Sequence, residues 1–215
     1  MQEHRQPPKE PESLKTGTTT VGLVGKDAAV LASDQRATMG YLVASKTAKK
    51  IHKITDRIGA TIAGSVADAQ SIIDLLQAES KLFEIQRGRP MRVKSLARLL
   101  SNIMFQGRGL YVLQCIVGGY DSDGPQVYYN DFVGAILSDD YTATGSGSPV
   151  AFGVLESEYE EGLTKNKAIE LGVRAIGAAI ERDAASGNAI LASVIDKDGY
   201  QEVPQDKIKK IWKPK

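Results

Sequence analysis

The chain has 215 residues, 42% hydrophobic and 25% charged, with a formal net charge of +1 at pH 7. This length suits one sizeable domain with a substantial core, and the balanced charge gives no reason to expect nucleic acid or a membrane as partner. Only His4, His52 and Cys115 are present of their kinds, which excludes a multi-histidine zinc site and an internal disulfide, the latter fitting a reducing compartment.

Residues 1–17 differ in character from the rest of the chain. Met1 to Glu12 is polar, charged and proline-rich, without the apolar stretch of a secretory signal, and is expected to be disordered. It reads equally as an inert tail or as a pro-segment. From Thr18 the pattern becomes regular. Thr18–Val24 and Ala28–Asp34 are β-rich runs joined by a Gly25-Lys26-Asp27 turn, followed by strands at 42–44, 51–55 and 58–63. A helix begins near Ser65, with Asp68 in its first turn, and Ala69, Ile72, Ile73, Leu76 and Phe83 hold one apolar face until Gly88. A second helix follows Pro90 and runs to Gly107.

Strands return at 110–117, 126–130, 135–137 and 141–144. Helices are expected over 149–160 and 165–185, with Thr164 as N-cap and Gly187 as the stop. A hairpin of 189–195 and 200–203 turns at Asp198-Gly199, and 205–212 is either a short helix or frayed. Helices grouped in pairs on antiparallel sheets indicate a layered α+β sandwich rather than a doubly wound sheet.

Several polar positions could carry chemistry. Cutting Gly17–Thr18 would give Thr18 a free α-amine beside its own hydroxyl, joining nucleophile and base in one residue. Such an amine titrates at roughly 7.7–8.0. The plain alternative is that Thr18 merely starts a β-branched strand. His52 lies in a mixed strand that suits packing better than catalysis. Asp34 ends a strand, where it could simply cap a turn. Lys49-Lys50 precedes a strand whose alternation turns one lysine inward; an inward lysine needs a carboxylate, and Asp34 is the obvious one.

Gly145-Ser146-Gly147-Ser148-Pro149 enters a helix, but the lysine that completes a nucleotide-binding loop is missing. Asp183 and Ser186 are three apart, which would put both on one helix face, where the carboxylate opposes the helix dipole and needs a partner.

Together, Thr18-Thr-Thr-Val-Gly after a glycine, Ser33-Asp34-Gln-Arg36, Lys49-Lys50-Ile51, Ile62-Ala63-Gly64, Gly145-Ser-Gly-Ser148 and Asp183-Ala-Ala-Ser186-Gly187 resemble the catalytic β subunits of the 20S proteasome, most closely the archaeal type. The resemblance covers essentially all of 17–203. It implies a four-layer αββα sandwich, the N-terminal nucleophile hydrolase fold, with 1–17 a propeptide removed by autocleavage and 18–215 one catalytic domain. It implies a threonine endopeptidase that hydrolyses unfolded proteins, without cofactor or metal.

Thr18 would be the nucleophile, Lys50 would lower its hydroxyl pKa, and Asp34 would neutralise Lys50. Ser146, Asp183 and Ser186 would surround the amine, and the Gly64 N–H would stabilise the oxyanion. Thr38, Gly64 and Val66 would hold an extended peptide. Ala37, Ala48, Ile62 and Val66 would wall an apolar pocket with no assignable charge. By the same resemblance, α subunits and further β subunits would form a 28-mer of four stacked seven-membered rings in the cytoplasm, fed by a regulatory ATPase through the α ring. A non-cutting structural subunit would be expected to lack Thr18, Asp34 or Lys50, and all three are present. The related bacterial two-ring threonine protease fits the leader and the Asp-x-x-Ser-Gly cluster less well.

Overall fold

The computed structural model describes residues 17–107 and 110–213; of the expected leader 1–17, residues 1–16 lie outside them. The chain begins with strands β1 (Thr19–Val24), β2 (Ala28–Asp34), β3 (Ala37–Met39), β4 (Leu42–Ser45), β5 (Ile51–Thr55) and β6 (Ile58–Gly64). Helices α1 (Val66–Arg87) and α2 (Val93–Gln106) come next, then β7 (Leu113–Asp121), β8 (Gly124–Asn130), β9 (Ile136–Ser138) and β10 (Tyr141–Gly145). Helices α3 (Ser148–Glu158) and α4 (Lys165–Arg182), strands β11 (Ile190–Asp196) and β12 (Gly199–Glu202), and helix α5 (Gln205–Ile211) complete it.

Two five-stranded antiparallel sheets carry the fold, in the orders β10-β1-β2-β11-β12 and β5-β6-β7-β8-β9, and β3 and β4 form a separate ribbon. The first sheet is apolar on both faces because both are covered. Val21, Leu23, Val30 and Ala32 pack against Ala151, Leu155, Val173 and Ile176 of α3 and α4. The alternate residues Ala29, Leu31 and Ile195 meet Ile51, Ile116 and Val127 of the second sheet. That sheet's other face, including Ala60, Ile62, Cys115 and Val117, packs on Ile72, Leu76, Leu96 and Leu100 of α1 and α2. Burial pushes the Cys115 thiol up to about 12, in keeping with a small core residue.

Glycine lets the sheets approach: a Cβ at Gly22 would come 2.6 Å from Ile116 Cγ2, and one at Gly118 would come 2.9 Å from Leu31 Cδ2. Local signals set the helix ends. Ser65 accepts the Asp68 N–H, Gly88 stops α1 at φ 65°, and Thr164 accepts the Lys167 N–H.

Three expectations need correction. Strand β3 is absent from the expected elements, because its three residues carry no readable alternation and a bulge between Ala37 and Thr38 interrupts its pairing. Strand β7 begins at Leu113 rather than 110 and continues to Asp121. Helix α4 ends at Arg182, not 185: Asp183 is its C-cap, with extended backbone at φ −95° and ψ 116°. Asp183 and Ser186 are therefore neighbours in a turn, closed by a Ser186 N–H to Asp183 C=O hydrogen bond of 3.1 Å, and not on a helix face.

Candidate active site

Thr18 immediately precedes β1, between the end of β2 and the turn into α3, and is 5% exposed. Pairing of β1 with β2 and β10 brings Asp34 and Ser146 near it from sequence distances of 16 and 128 residues. The inward lysine is Lys50, 7% exposed, whose Nζ donates to Asp34 Oδ1 at 2.6 Å. Lys49, 58% exposed, turns outward and pairs with Glu202.

Asp34 is fully buried and fully employed. Its Oδ1 also accepts the Thr19 N–H at 2.9 Å, and its Oδ2 accepts the N–H groups of Arg36 (2.9 Å) and Gly187 (3.0 Å). Four donors compensate a carboxylate that would otherwise be costly to bury. Burial lowers the Lys50 pKa from the usual lysine value, outweighing the opposing attraction of Asp34. A lysine held so can exchange a proton more readily than a surface one.

A second group meets Thr18 from the other side. The Thr18 N–H donates to Ser146 Oγ at 3.3 Å. Ser146 and Ser186 each donate to Asp183 Oδ2 at 2.6 Å. Because Ser186 spends its proton there, the 2.6 Å contact between Thr19 and Ser186 hydroxyls has Thr19 as donor. Thus all six expected residues, Thr18, Asp34, Lys50, Ser146, Asp183 and Ser186, come together at one end of the first sheet.

The residue before Thr18, the expected cut site, has a steric reason to be glycine. Gly17 joins Thr18, whose hydroxyl donates to the Gly17 carbonyl oxygen at 2.7 Å. A Cβ on Gly17 would collide with Ala185 Cβ, so glycine is required here for room. Likewise, a Cβ on Gly145 would meet the Thr18 carbonyl, and one on Gly147 would meet Thr19 Oγ1. The Gly-Ser-Gly-Ser loop thus packs closely on Thr18 and Thr19.

Two cavities adjoin Gly17–Thr18. One, of about 410 Å³, is lined by Ala37, Thr38, Ala48, Ile62, Gly64 and Val66, the six expected peptide-contacting residues, together with Thr18. Lys49, Lys50 and His52 also line it, which overturns the expectation of an uncharged wall: the segment from Ala48 into the start of β5 borders the cavity, so its basic side chains join the apolar Ala48 there. Burial, reinforced by nearby Lys49, holds His52 below its ordinary pKa. Thr38 Oγ1 accepts the Gly17 N–H at 2.8 Å. Gly64 sits at φ 139°, where a Cβ would strike the Val112 carbonyl.

Residues that the sequence motifs contain, but to which the sequence alone assigns no role, also build the site. Arg36 ties the 183–188 turn in place through Nε to Asn188 Oδ1 (3.0 Å) and a guanidinium N–H to the Ala184 carbonyl (2.8 Å). Thr20 shares buried hydroxyl contacts with Thr61 (2.8 Å) and Thr144 (2.7 Å). The repeated threonine in Thr18-Thr19-Thr20 is the available signal, since polar residues in a strand buried on both faces need partners.

A sequence profile described as "Proteasome subunit" matches residues 14–195. The chain belongs to the proteasome subunit family. It is 46% identical over 207 residues to "Proteasome subunit beta" of Methanopyrus kandleri, covering 94% of this chain and 99% of that one. It is 49% identical over 201 residues to "Proteasome subunit beta" of Methanosphaerula palustris, covering 93% and 95%. "Proteasome subunit beta 2" of Nitrosopumilus maritimus is 43% identical over 201 residues, covering 93% and 96%. These proteasome relatives are archaeal β subunits, so the chain stands among the subunits of a proteolytic assembly. Among the described residues no helix is long and apolar enough to cross a membrane.

Proposed function

We propose that this chain is a catalytic β subunit of a 20S proteasome core, a threonine-type endopeptidase that degrades unfolded proteins to short peptides in the cytoplasm. Residues 1–17 would be the pro-segment and 18–215 one catalytic domain, a four-layer αββα sandwich of the N-terminal nucleophile type. The convergence of the Asp34–Lys50 pair and the Ser146–Asp183–Ser186 group on Thr18 carries this reading.

Cleavage of Gly17–Thr18 converts the Thr18 amide into an α-amine. The hydroxyl already lies against the Gly17 carbonyl, which supports attack by Thr18 Oγ on that carbonyl carbon. In peptide hydrolysis Thr18 Oγ bonds to the scissile carbonyl carbon and its proton passes to the α-amine. The Lys50 cation, held by Asp34, favours the ionising hydroxyl. The Gly64 N–H would face the oxyanion, a donor worth about 2.7–4 kcal/mol in comparable sites. The C–N bond then breaks and the departing nitrogen takes the proton from the Thr18 ammonium. Water adds to the resulting ester with the amine again accepting a proton, and the ester C–O bond breaks to restore Thr18. Asp183 and the two serines orient the amine throughout.

The assembled particle would hold 28 subunits, with α subunits in the outer rings and β subunits in the two inner ones, and a regulatory ATPase acting through the α ring. Intact mass of the chain after co-expression with α subunits tests the reading. We expect a product beginning at Thr18; a chain still beginning at Met1 in assembled, peptide-cleaving particles would overturn it. Thr18→Ala is expected to assemble without hydrolysing peptides, and activity equal to the unsubstituted particle would remove Thr18 as nucleophile.

A further inference from the structure

Besides the cavity that holds Lys50, a larger cleft of about 680 Å³ opens beside Gly17. The two cavities share only Gly17, Thr38 and Gly64 in their linings, and Thr18 itself lines the smaller one. The linings differ in chemistry. Lys50, Ala48 and Ile62 belong to the smaller one, whereas Ser146, Asp183, Ala184 and Ala185 belong to the larger.

We propose that the 680 Å³ cleft binds the substrate residue that comes after the scissile bond and selects a large apolar or aromatic side chain there. This rests on the reading of Thr18 as an N-terminal nucleophile. Proton return decides the side. The proton that leaves the Thr18 hydroxyl goes to the Thr18 nitrogen, and the departing nitrogen must recover it from there. The departing half of the substrate therefore lies on the side of that nitrogen. Its neighbours are Ser146, at 3.3 Å, and Asp183 through Ser146. Both line the larger cleft and neither lines the smaller one.

The wall of the cleft names the side chain it takes. Tyr41, Val43, Val112 and Phe132 all line it and are exposed large apolar residues, with Tyr41 at 101%, Val112 at 63% and Phe132 at 54%. Apolar surface gathered around a concave site marks a binding surface rather than scattered exposure. Asp183 is the acidic group on this lining, so a carboxylate in the position after the cut meets like charge, whereas an aromatic or aliphatic chain loses only water.

The experiment uses mature particles assembled with α subunits and a peptide series identical up to the cut, with Phe, Leu, Gly or Asp immediately after it. Products are read by mass spectrometry as kcat/KM. Phe and Leu are expected to exceed Gly by roughly tenfold, the scale of an apolar side chain in a pocket, and Asp is expected lowest. Phe132→Ala and Val112→Ala are each expected to shrink the Phe-to-Gly ratio toward unity. Titration with a peptide boronate, which carries nothing beyond the reacting atom, counts competent sites in each preparation.

A flat profile in the unsubstituted particle, or an unchanged ratio in both variants, would overturn the proposal. Should Phe132→Ala fail to assemble because Phe132 is a subunit contact, Val112→Ala decides, and an unchanged ratio there overturns it. Absence of both hydrolysis and boronate uptake in the unsubstituted particle would instead overturn the Thr18 reading, and this one with it.

Discussion

On one side of Thr18, Asp34 and Lys50 are 0% and 7% exposed and share a 2.6 Å ion pair. On the other, Ser146 is open to solvent and Asp183 is half-buried, with its Oδ2 held by two serine hydroxyls. The closed side fixes a charge in a place where water cannot adjust it. The open side is accessible to water, with which it can exchange protons. Closed groups of this kind are bound to stability as well as to chemistry, whereas an open group can be tuned for chemistry alone.

The sharpest way to break this contrast is Asp34→Ala. It strands three backbone N–H groups and the Lys50 cation at once, and we expect a loss exceeding about 5 kcal/mol, a large share of a domain's stability. Soluble yield and chemical denaturation would read it, and a near-normal unfolding midpoint would refute the view of Asp34 as the structural hub. Lys50→Ala leaves Asp34 three neutral donors, so the cost falls to about 3–5 kcal/mol, with peptide hydrolysis lost. Retained hydrolysis would make Lys50 a purely structural cation.

Asp183→Asn tests the open side. It keeps the shape and one acceptor, so stability should change by less than about 1 kcal/mol, while kcat falls by about 10²-fold as amine positioning degrades. If denaturation shifts as far as in Lys50→Ala, the two sides are not built differently after all.

The smallest effect concerns His52 in the 410 Å³ cavity. Its folded pKa lies below the ordinary 6.5, so as pH drops below 6.5 the unfolded chain takes the proton first. The stability this residue contributes is complete above pH 6.5 and declines as pH falls through the folded value. Melting temperature should therefore drop less between about pH 7 and pH 5 in His52→Gln than in the unsubstituted protein. Equal drops would mean that burial does not govern this histidine.

Periodicity makes most of the elements readable. Ala28–Asp34 and Ile51–Thr55 have the bounds that their β-rich composition indicates, and Ser65, Gly88 and Thr164 mark helix ends by local chemistry. That an inward lysine of the Lys49-Lys50 pair would take Asp34 as its partner is also legible, because a buried cation needs a carboxylate. The short ribbon strand β3 is not, since three residues give no period. The end of α4 escapes for another reason: nothing local in Arg182-Asp183-Ala184-Ala185 stops a helix. The hydroxyls of Ser146 and Ser186 accompany the Asp183 carboxylate where the chain leaves the helix, and Ser146 comes from 37 residues away.

The sequence by itself determined which residues could react and that a Thr18 nucleophile would need a base other than histidine, because residue type and local spacing are properties of the chain. The tertiary structure decided that Gly17, Gly145 and Gly147 are glycines for want of room, that Asp34 has four donors, and that two cavities of unlike lining adjoin Gly17. Those facts depend on contacts between segments as distant in sequence as Gly17 and Ala185, and no local pattern encodes the distance between surfaces that meet only when the sheets close.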